Sequence, residues 1–532
     1  MKYYLWTCIT VFVLASPLAA DEKTGVLNGT IVSRDAAKNE ITVQHGEVKG
    51  VMGAMTMGYE VRGQKVASLP KDGAKVTANL HESNGKYWLT DVKQSREEKM
   101  PGHAMSGMPA QHEHQTMQHE MPQMQPSGMS GMQSMRMDPT SEFLMRQASG
   151  TSMNPAAAPM HMTMTQRGKW MVMLHGLAFI NQVVQSGPRG GDKFFSTNWL
   201  MGMADRPLGR GHLMLRSMLS LEPATVGKKY PELLQTGETI DNKPIIDAQH
   251  PHDFFMELAA EYARPLTDHT IGYVYVAPMG DPSLGPVAYP HRASASEIPQ
   301  AALSHHVQDS THIAGSVMTI GAQSGMFGYA VSGFHGREPD EKRWDLDTGR
   351  IDSWAARVSF DPNPSWTAQF SISHLKHPEA AEPGNIQRTT ASVGYSRALT
   401  VGQWDGSLIF GHNKKTEGHS ANSWLAESVL QFQGRNYLTG RAEVVDKDEL
   451  FAEQNVPAAI ANSVFRIKAL TLGYTRDVVT MRGLMAAAGG NVTGYSIPGA
   501  IKPYYGTPHS FYVFMRFRSA GHAMSGTHSM KM

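Results

Sequence analysis

The 532-residue sequence has one cysteine, Cys8, little net charge (+1) and, past its first twenty residues, no long apolar run. A blue-copper or multicopper oxidase centre needs a cysteine thiolate. Cys8 sits inside the apolar stretch of an N-terminal leader, so the exported chain would carry no thiol. The near-neutral charge and the lack of a Lys/Arg run give no footprint for nucleic acid or for an anionic membrane surface. Without an apolar run long enough to span a bilayer as a helix, the mature chain is either soluble or a barrel of alternating strands.

The leader itself is legible. Lys2, an apolar run from Tyr3 to Leu14 and small residues from Ala15 to Ala20 read as a secretory signal over 1–20. The 51 glycines and 8% aromatics then lean towards β-structure with many turns. Residues 24–95 alternate as about five short strands, the pattern of a small OB-type barrel. Residues 96–168 lose periodicity: 15 Met and 5 His between Met100 and Met164 lie among Pro, Gln, Ser and Gly. With so few other apolar residues this reads as a disordered Met/His-rich linker.

From 169 to 518 the alternation returns in about sixteen segments. They are placed near 169–182, 194–205, 211–222, 253–264, 270–278, 312–322, 326–335, 352–361, 365–375, 386–397, 403–412, 421–432, 435–446, 464–476, 481–491 and 508–518. Short turns such as Arg206-Pro207-Leu208-Gly209 and Pro362-Asn363-Pro364 alternate with long excursions such as 223–252 and 279–311. Outer-membrane barrels sort their connections this way. The expected fold is therefore all-β, with a transmembrane antiparallel barrel after the linker and a Met/His-rich tail, 519–532. A secreted all-β protein with half-buried sheets is the alternative.

The most specific local signal is His45 followed by Met52, Met55 and Met57. On a strand Met55 and Met57 share a face, so two thioethers and an imidazole can converge on a soft ion such as Cu(I) or Ag(I); the same methionines could simply fill a core. The segment from His45 to Met57, with its Met-Thr-Met, resembles the periplasmic copper/silver chaperones of the CusF type. That resemblance implies an OB fold, His45, Met55 and Met57 as ligands, and Cu(I) or Ag(I) as cargo. Met52 stands where that family places a tryptophan over the metal.

Further candidates are scattered along the chain. Gly102-His103-Ala104-Met105-Ser106-Gly107 recurs letter for letter as Gly521-His522-Ala523-Met524-Ser525-Gly526, which marks His103, Met105, His522 and Met524 as soft-metal ligands. His250, His252, His291, His305, His306 and His312 form a group with Asp253 and Asp309 that suits Cu(II) or another borderline ion; singly, each reads as a loop histidine. On the third barrel strand Leu213, Leu215, Leu219 and Leu221 should meet lipid. His212, Met214, Arg216 and Met218 should then line the lumen beside Met171, Met173 and His175 of the first strand. In layout the barrel and arm resemble the outer-membrane copper-resistance proteins. The expected function is binding of Cu(I)/Ag(I) with sequestration or export at the outer membrane, both ends of the chain facing the periplasm, and periplasmic metal-efflux components as candidate partners. The competing expectation is a secreted or periplasmic copper-dependent oxidoreductase using the body histidines.

Overall fold

The computed structural model describes residues 23–35, 39–46, 48, 51, 55–83, 86–95, 138–380, 384–452, 454–481 and 483–520. They fall into two compact units, divided after Ser127.

In the first unit five strands close on themselves: β1 (Lys23–Asp35), β2 (Glu40–His45), β3 (Met55–Val61), β4 (Lys75–Ser83) and β5 (Lys86–Gln94), in the order β1-β2-β3-β5-β4 with β4 back against β1. β1 serves two neighbours because it bends at a bulge between Ile31 and Ser33. Alternate residues point inward, and Leu27, Ile31, Ile41, Val43, Tyr59, Val76, Leu80 and Leu89 are buried together.

The second unit is a larger closed barrel. After β6 (Gln147–Ser149), β7 (Ser152–Met153) and β8 (Thr163–Arg167) come β9 (Trp170–Gln185), β10 (Asp192–Leu208) and β11 (Gly211–Leu219). A loop hairpin, β12 (Tyr230–Ile240) and β13 (Lys243–Gln249), precedes β14 (Phe255–Thr267), β15 (Thr270–Gly280), β16 (Ala314–Ser324), β17 (Phe327–His335), β18 (Ser353–Asn363) and β19 (Trp366–Leu375). The ring ends with β20 (Ile386–Leu399), β21 (Gly402–Lys415), β22 (Ala421–Phe432), β23 (Asn436–Lys447), β24 (Phe465–Met481), β25 (Leu484–Ser496) and β26 (His509–Ser519). β26 pairs with β9 from Gln185 to Leu177, and β8 takes over the same edge from Leu174 to Trp170, so sixteen strands close the ring. Every one of the sixteen segments expected from alternation corresponds to one of these strands.

The barrel's outside carries what a soluble protein would hide. Leu174, Leu200, Leu215, Val276, Ile320, Val331, Phe370, Leu408, Leu438, Leu472 and Val513 are each more than a third exposed, with Trp354, Trp366, Trp404 and Trp424 among them. Its inside is polar, with Ser332, Ser371, Arg388, Asn413, Glu427, Arg441, Asn491 and Arg516 buried. Apolar outside and polar inside is the inversion a lipid-embedded barrel requires. No helix among the described residues is long and apolar enough to cross a membrane. Connections of two or three residues gather at one end, and the chain enters β9 and leaves β26 at that end.

The expected disordered linker needs correcting over 138–167, which is ordered; residues 96–137 lie outside those described. Asp138 caps the helix Pro139–Met145 through the amides of Thr140 (2.9 Å) and Ser141 (3.3 Å), with Pro139 at the first helical position. The segment then binds the barrel's inner wall: Ser141 donates to Asp205 (2.7 Å), Gln147 to Glu261 (2.8 Å), and Arg357 to Thr151 (2.7 Å). Composition misled because a segment folding into a lumen needs little apolar surface of its own. Phe143, Leu144, Met145 and Met162 complete a cluster whose other members are barrel residues and Ile313 of an inner loop.

Candidate metal centres

In the small barrel, strand register fixes where the backbone of two expected ligand positions lies. Met55 lies directly opposite His45 and Met57 opposite Val43 across β2 and β3. Val43 and His45 are both buried. Met57 packs half-buried on the core, whereas Met52 lies outside the described residues. The His45 ring is oriented by its Nδ1, 2.6 Å from the Gly46 carbonyl, and its Nε2 meets the Tyr59 hydroxyl. Burial pushes that hydroxyl up to about 12, so it stays neutral. An incoming cation has to displace only a neutral hydrogen-bond partner, worth roughly 0.5–1.5 kcal/mol net. Tyr59 was missed in the sequence, although it shares the strand face of Met55 and Met57 by spacing of two.

A second concentration of soft ligands lines one wall of the large barrel. Register stacks three rows across β9, β10 and β11: His175–Met201–Met218, Met173–Met203–Arg216 and Met171–Asp205–Met214. Met173, Met201, Met203, Met214, Met218, Met256 and Met279 are buried with Met145 and Met162 in one cluster. His175 Nε2 lies 3.1 Å from Met201 Sδ, and His291 Nε2 lies 2.8 Å from Met218 Sδ. Burial holds the His291 imidazole well below its ordinary range, so the ring stays neutral, with one of its two nitrogens free of a proton. The expected partnership of His212 with Met214 and Met218 is corrected: His212 is clamped by Asp138 (2.6 Å) and Asp205 (3.0 Å), and His291 takes its place. Arg216 is neutralised between Glu257 (3.3 Å) and Glu261 (3.5 Å).

His291 is available because the loop 281–313 folds inward. Arg292 binds Glu427 and Asp309, Glu297 binds Arg516 and Arg518, Ser304 donates to Glu443, Gln300 bonds Asn491, and Arg388 donates to Ser310 and Thr311. With these anchors on five different wall strands the loop and the segment 138–162 fill the lumen. A cavity of about 50 Å³ remains beside Phe143, Tyr273 and Arg357.

The same inward fold gathers the body histidines. His250 and His252 follow the β12–β13 hairpin, and His305 and His306 form the helical turn His305–Gln308. Ring centroids are 5.7 Å apart for His250–His306, 5.1 Å for His305–His306, 5.3 Å for His305–His312 and 5.4 Å for His252–His312. His252 is held by Glu222 (3.0 Å), His305 by Asp309 (2.7 Å) and His312 by the Asp309 carbonyl (2.8 Å). Burial pulls His305 down to about 4 and His312 to about 3; against burial, Glu379 and Glu338 push His306 up to about 8. Glu238, Glu338, Glu379 and Tyr289 complete this group. Nothing local in the sequence marks them, since Glu338 and Glu379 come from separate loops. His103, Met105, His522 and Met524 lie outside the described residues.

The chain has no match among curated protein sequences. Among solved structures it is similar to the anion-selective porin from Comamonas acidovorans, at 15% identity over 66% of this chain and 99% of that one, with a TM-score of 0.42. It is also similar to Salmonella typhi OmpF in complex with daunomycin, at 9% identity over 67% and 100%, with a TM-score of 0.43. A Cu(II) form of a CusF variant from Escherichia coli aligns at 26% identity over 14% of this chain and 92% of that one, with a TM-score of 0.13. Residues 25–94 match the family model of the copper binding periplasmic protein CusF, and it is this segment, joined to a sixteen-strand membrane barrel, that is CusF-like.

Proposed function

We propose that this protein binds Cu(I) or Ag(I) and sequesters or exports it at the outer membrane, contributing to copper resistance. The observation that carries the reading is the register of β2 and β3, which sets Met55 opposite His45 inside a segment matching a copper-binding family. The methionine wall supports it, because a thioether prefers Cu(I) and Ag(I) and carries no proton to displace. In this reading the chain's ends and the short turns face the periplasm, where the CusF-like domain and the tail collect the ion; periplasmic efflux components would deliver it. In this reading the protein acts as a carrier; its sole cysteine is Cys8, which argues against a thiolate copper centre in the barrel and leaves a histidine-only copper oxidoreductase as the competing reading.

The test uses residues 24–95, which include the closed five-strand barrel. Met55→Ile with Met57→Ile keeps volume and apolarity nearly constant, so the fold should survive while one equivalent of bound Ag(I) is lost. Unchanged Ag(I) affinity in that folded double variant would remove the site and, with it, the reading.

A further inference from the structure

At the long-loop end of the barrel four loop segments converge on a small buried space: 220–254, 281–313, 336–352 and 376–380. From them come His250, His306, Glu338 and Glu379, each at most 9% exposed. His306 Nδ1 lies 3.4 Å from Glu379 Oε1 and 3.9 Å from Glu338 Oε2, and one ligand atom from each of the three residues lies within 4.8 Å of the others. His250 stands with its ring centroid 5.7 Å from that of His306. Two imidazoles on one tetrahedral ion put their centroids roughly 5–6 Å apart, given metal–nitrogen bonds of about 2.0–2.1 Å.

These groups are short of partners. Neither Glu338 oxygen receives a well-formed hydrogen bond, and the Nε2 of His306 likewise has none; the Nε2 of His250 lies 3.1 Å from Glu238 Oε1. Buried polar atoms are almost always satisfied, so three such atoms on two residues that line one space call for an occupant. The space they line, with Glu238, Asp253 and Ser310, is about 10 Å³, enough for about one water or ion. Arg343 is committed to Glu238 and Asp253. His306 is the cation in direct contact with Glu338 and Glu379, with the guanidinium of Arg388 acting on both from farther away.

The surroundings brace the donors. The Glu238 amide donates to Glu379 Oε2 (3.2 Å), fixing that carboxylate. Gly237 has φ +127° and lies against the His306 ring, where an added Cβ would fall 2.3 Å from Cε1. Only glycine fits there, for backbone and steric reasons together.

We propose that His306, Glu338, Glu379 and His250 form a binding site for one divalent metal ion of borderline character, the class of Cu(II), Zn(II) and Ni(II). Two imidazoles and two carboxylates suit these ions and not Cu(I) or Ag(I). The site is thus chemically separate from the thioether centres and does not rest on the Cu(I)/Ag(I) reading. An ion here cross-links four loops, including the one that fills the lumen.

The test uses the full chain, purified in detergent, stripped with EDTA and preloaded with Ag(I) to occupy thioethers, then titrated with Co(II). One Co(II) per chain should bind with visible d–d bands of a four-coordinate N/O site. Glu338→Gln with Glu379→Gln should weaken it by more than the roughly 10–100-fold that outer-shell changes produce, while His103→Gln with His522→Gln should leave it unchanged. Heat-modifiable mobility reports that each variant is folded. Should the double glutamine variant fail to fold, anomalous scattering at the cobalt edge from the unmutated protein decides: a peak between His306 and Glu379 supports the site, and its absence refutes it. Wild-type Co(II) affinity and spectrum in the folded E338Q/E379Q variant, or loss of binding in the tail variant alone, would overturn the proposal. Ag(I) binding by the CusF-like domain is read separately and is not touched by either result.

Discussion

Replacing Arg292 and Glu297 together by alanine should free the first half of the inward-folded loop without unfolding the barrel. Arg292 is 3% exposed and holds Glu427 and, at 3.0 Å, Asp309; Glu297 is 1% exposed and holds Arg516 and, at 3.2 Å, Arg518. Removing one partner of a buried ion pair costs about 3–5 kcal/mol, because the survivor is left uncompensated. Glu427 keeps Arg441, and Arg516 keeps Asp477, so the lower end applies to each. The two clusters share no partner, and their costs add to about 6 kcal/mol. That shifts attachment of this half-loop by about four orders of magnitude. The hydrogen bonds that remain, among them Ser283 to Ser332, Gly285 to Ser371, Ser294 to Ser407 and Gln300 to Asn491, contribute only about 0.5–1.5 kcal/mol each. The sixteen-strand ladder is untouched. In planar lipid bilayers the double variant should conduct in larger steps than the parent, and residues 281–300 should become cleavable by protease while heat-modifiable mobility is retained. Parental conductance together with parental protease resistance would refute the view that these two ion clusters hold the lumen shut.

Other expectations follow from the same geometry. Tyr59→Phe removes the hydroxyl that competes for His45 Nε2, so residues 24–95 should bind Ag(I) up to about tenfold more tightly; weaker binding would show that Tyr59 helps hold the ion. Met201→Leu with Met218→Leu preserves packing but strips the sulfurs facing His175 and His291, and periplasmic copper should rise under copper stress; accumulation at the parental level would separate the methionine wall from transport. Burial pushes the Glu232 carboxyl up to about 8 despite its bond to Tyr512. The folded form thus retains a proton that the unfolded chain releases near its ordinary 4.5, and stability falls as pH rises from there through about 8. Glu232→Gln should therefore raise the melting temperature at pH 9 relative to the parent more than at pH 5; an equal change at both would remove Glu232 from the pH dependence.

Much of this protein was already legible along the chain. Strand positions follow from alternation of period two, because lipid on one side and a polar lumen on the other leave each residue one acceptable direction. Leu215 outward and Arg216 inward are read from adjacent letters and found so. The strand pairing of Met55 with His45 and of Met57 with Val43 follows from the same alternation. What tertiary structure alone decided was the filling of the lumen. Met145 and Phe143 look like linker residues until the barrel supplies Met173 and Met214 for them to pack on. His212 looks like a ligand until Asp138 and Asp205 occupy both its nitrogens. Glu338 and Glu379 carry no local signal, because their meeting with His306 depends on separate loops closing over a strand ring. Periodicity records which side a residue faces; it carries no information about what a loop brings to meet it there.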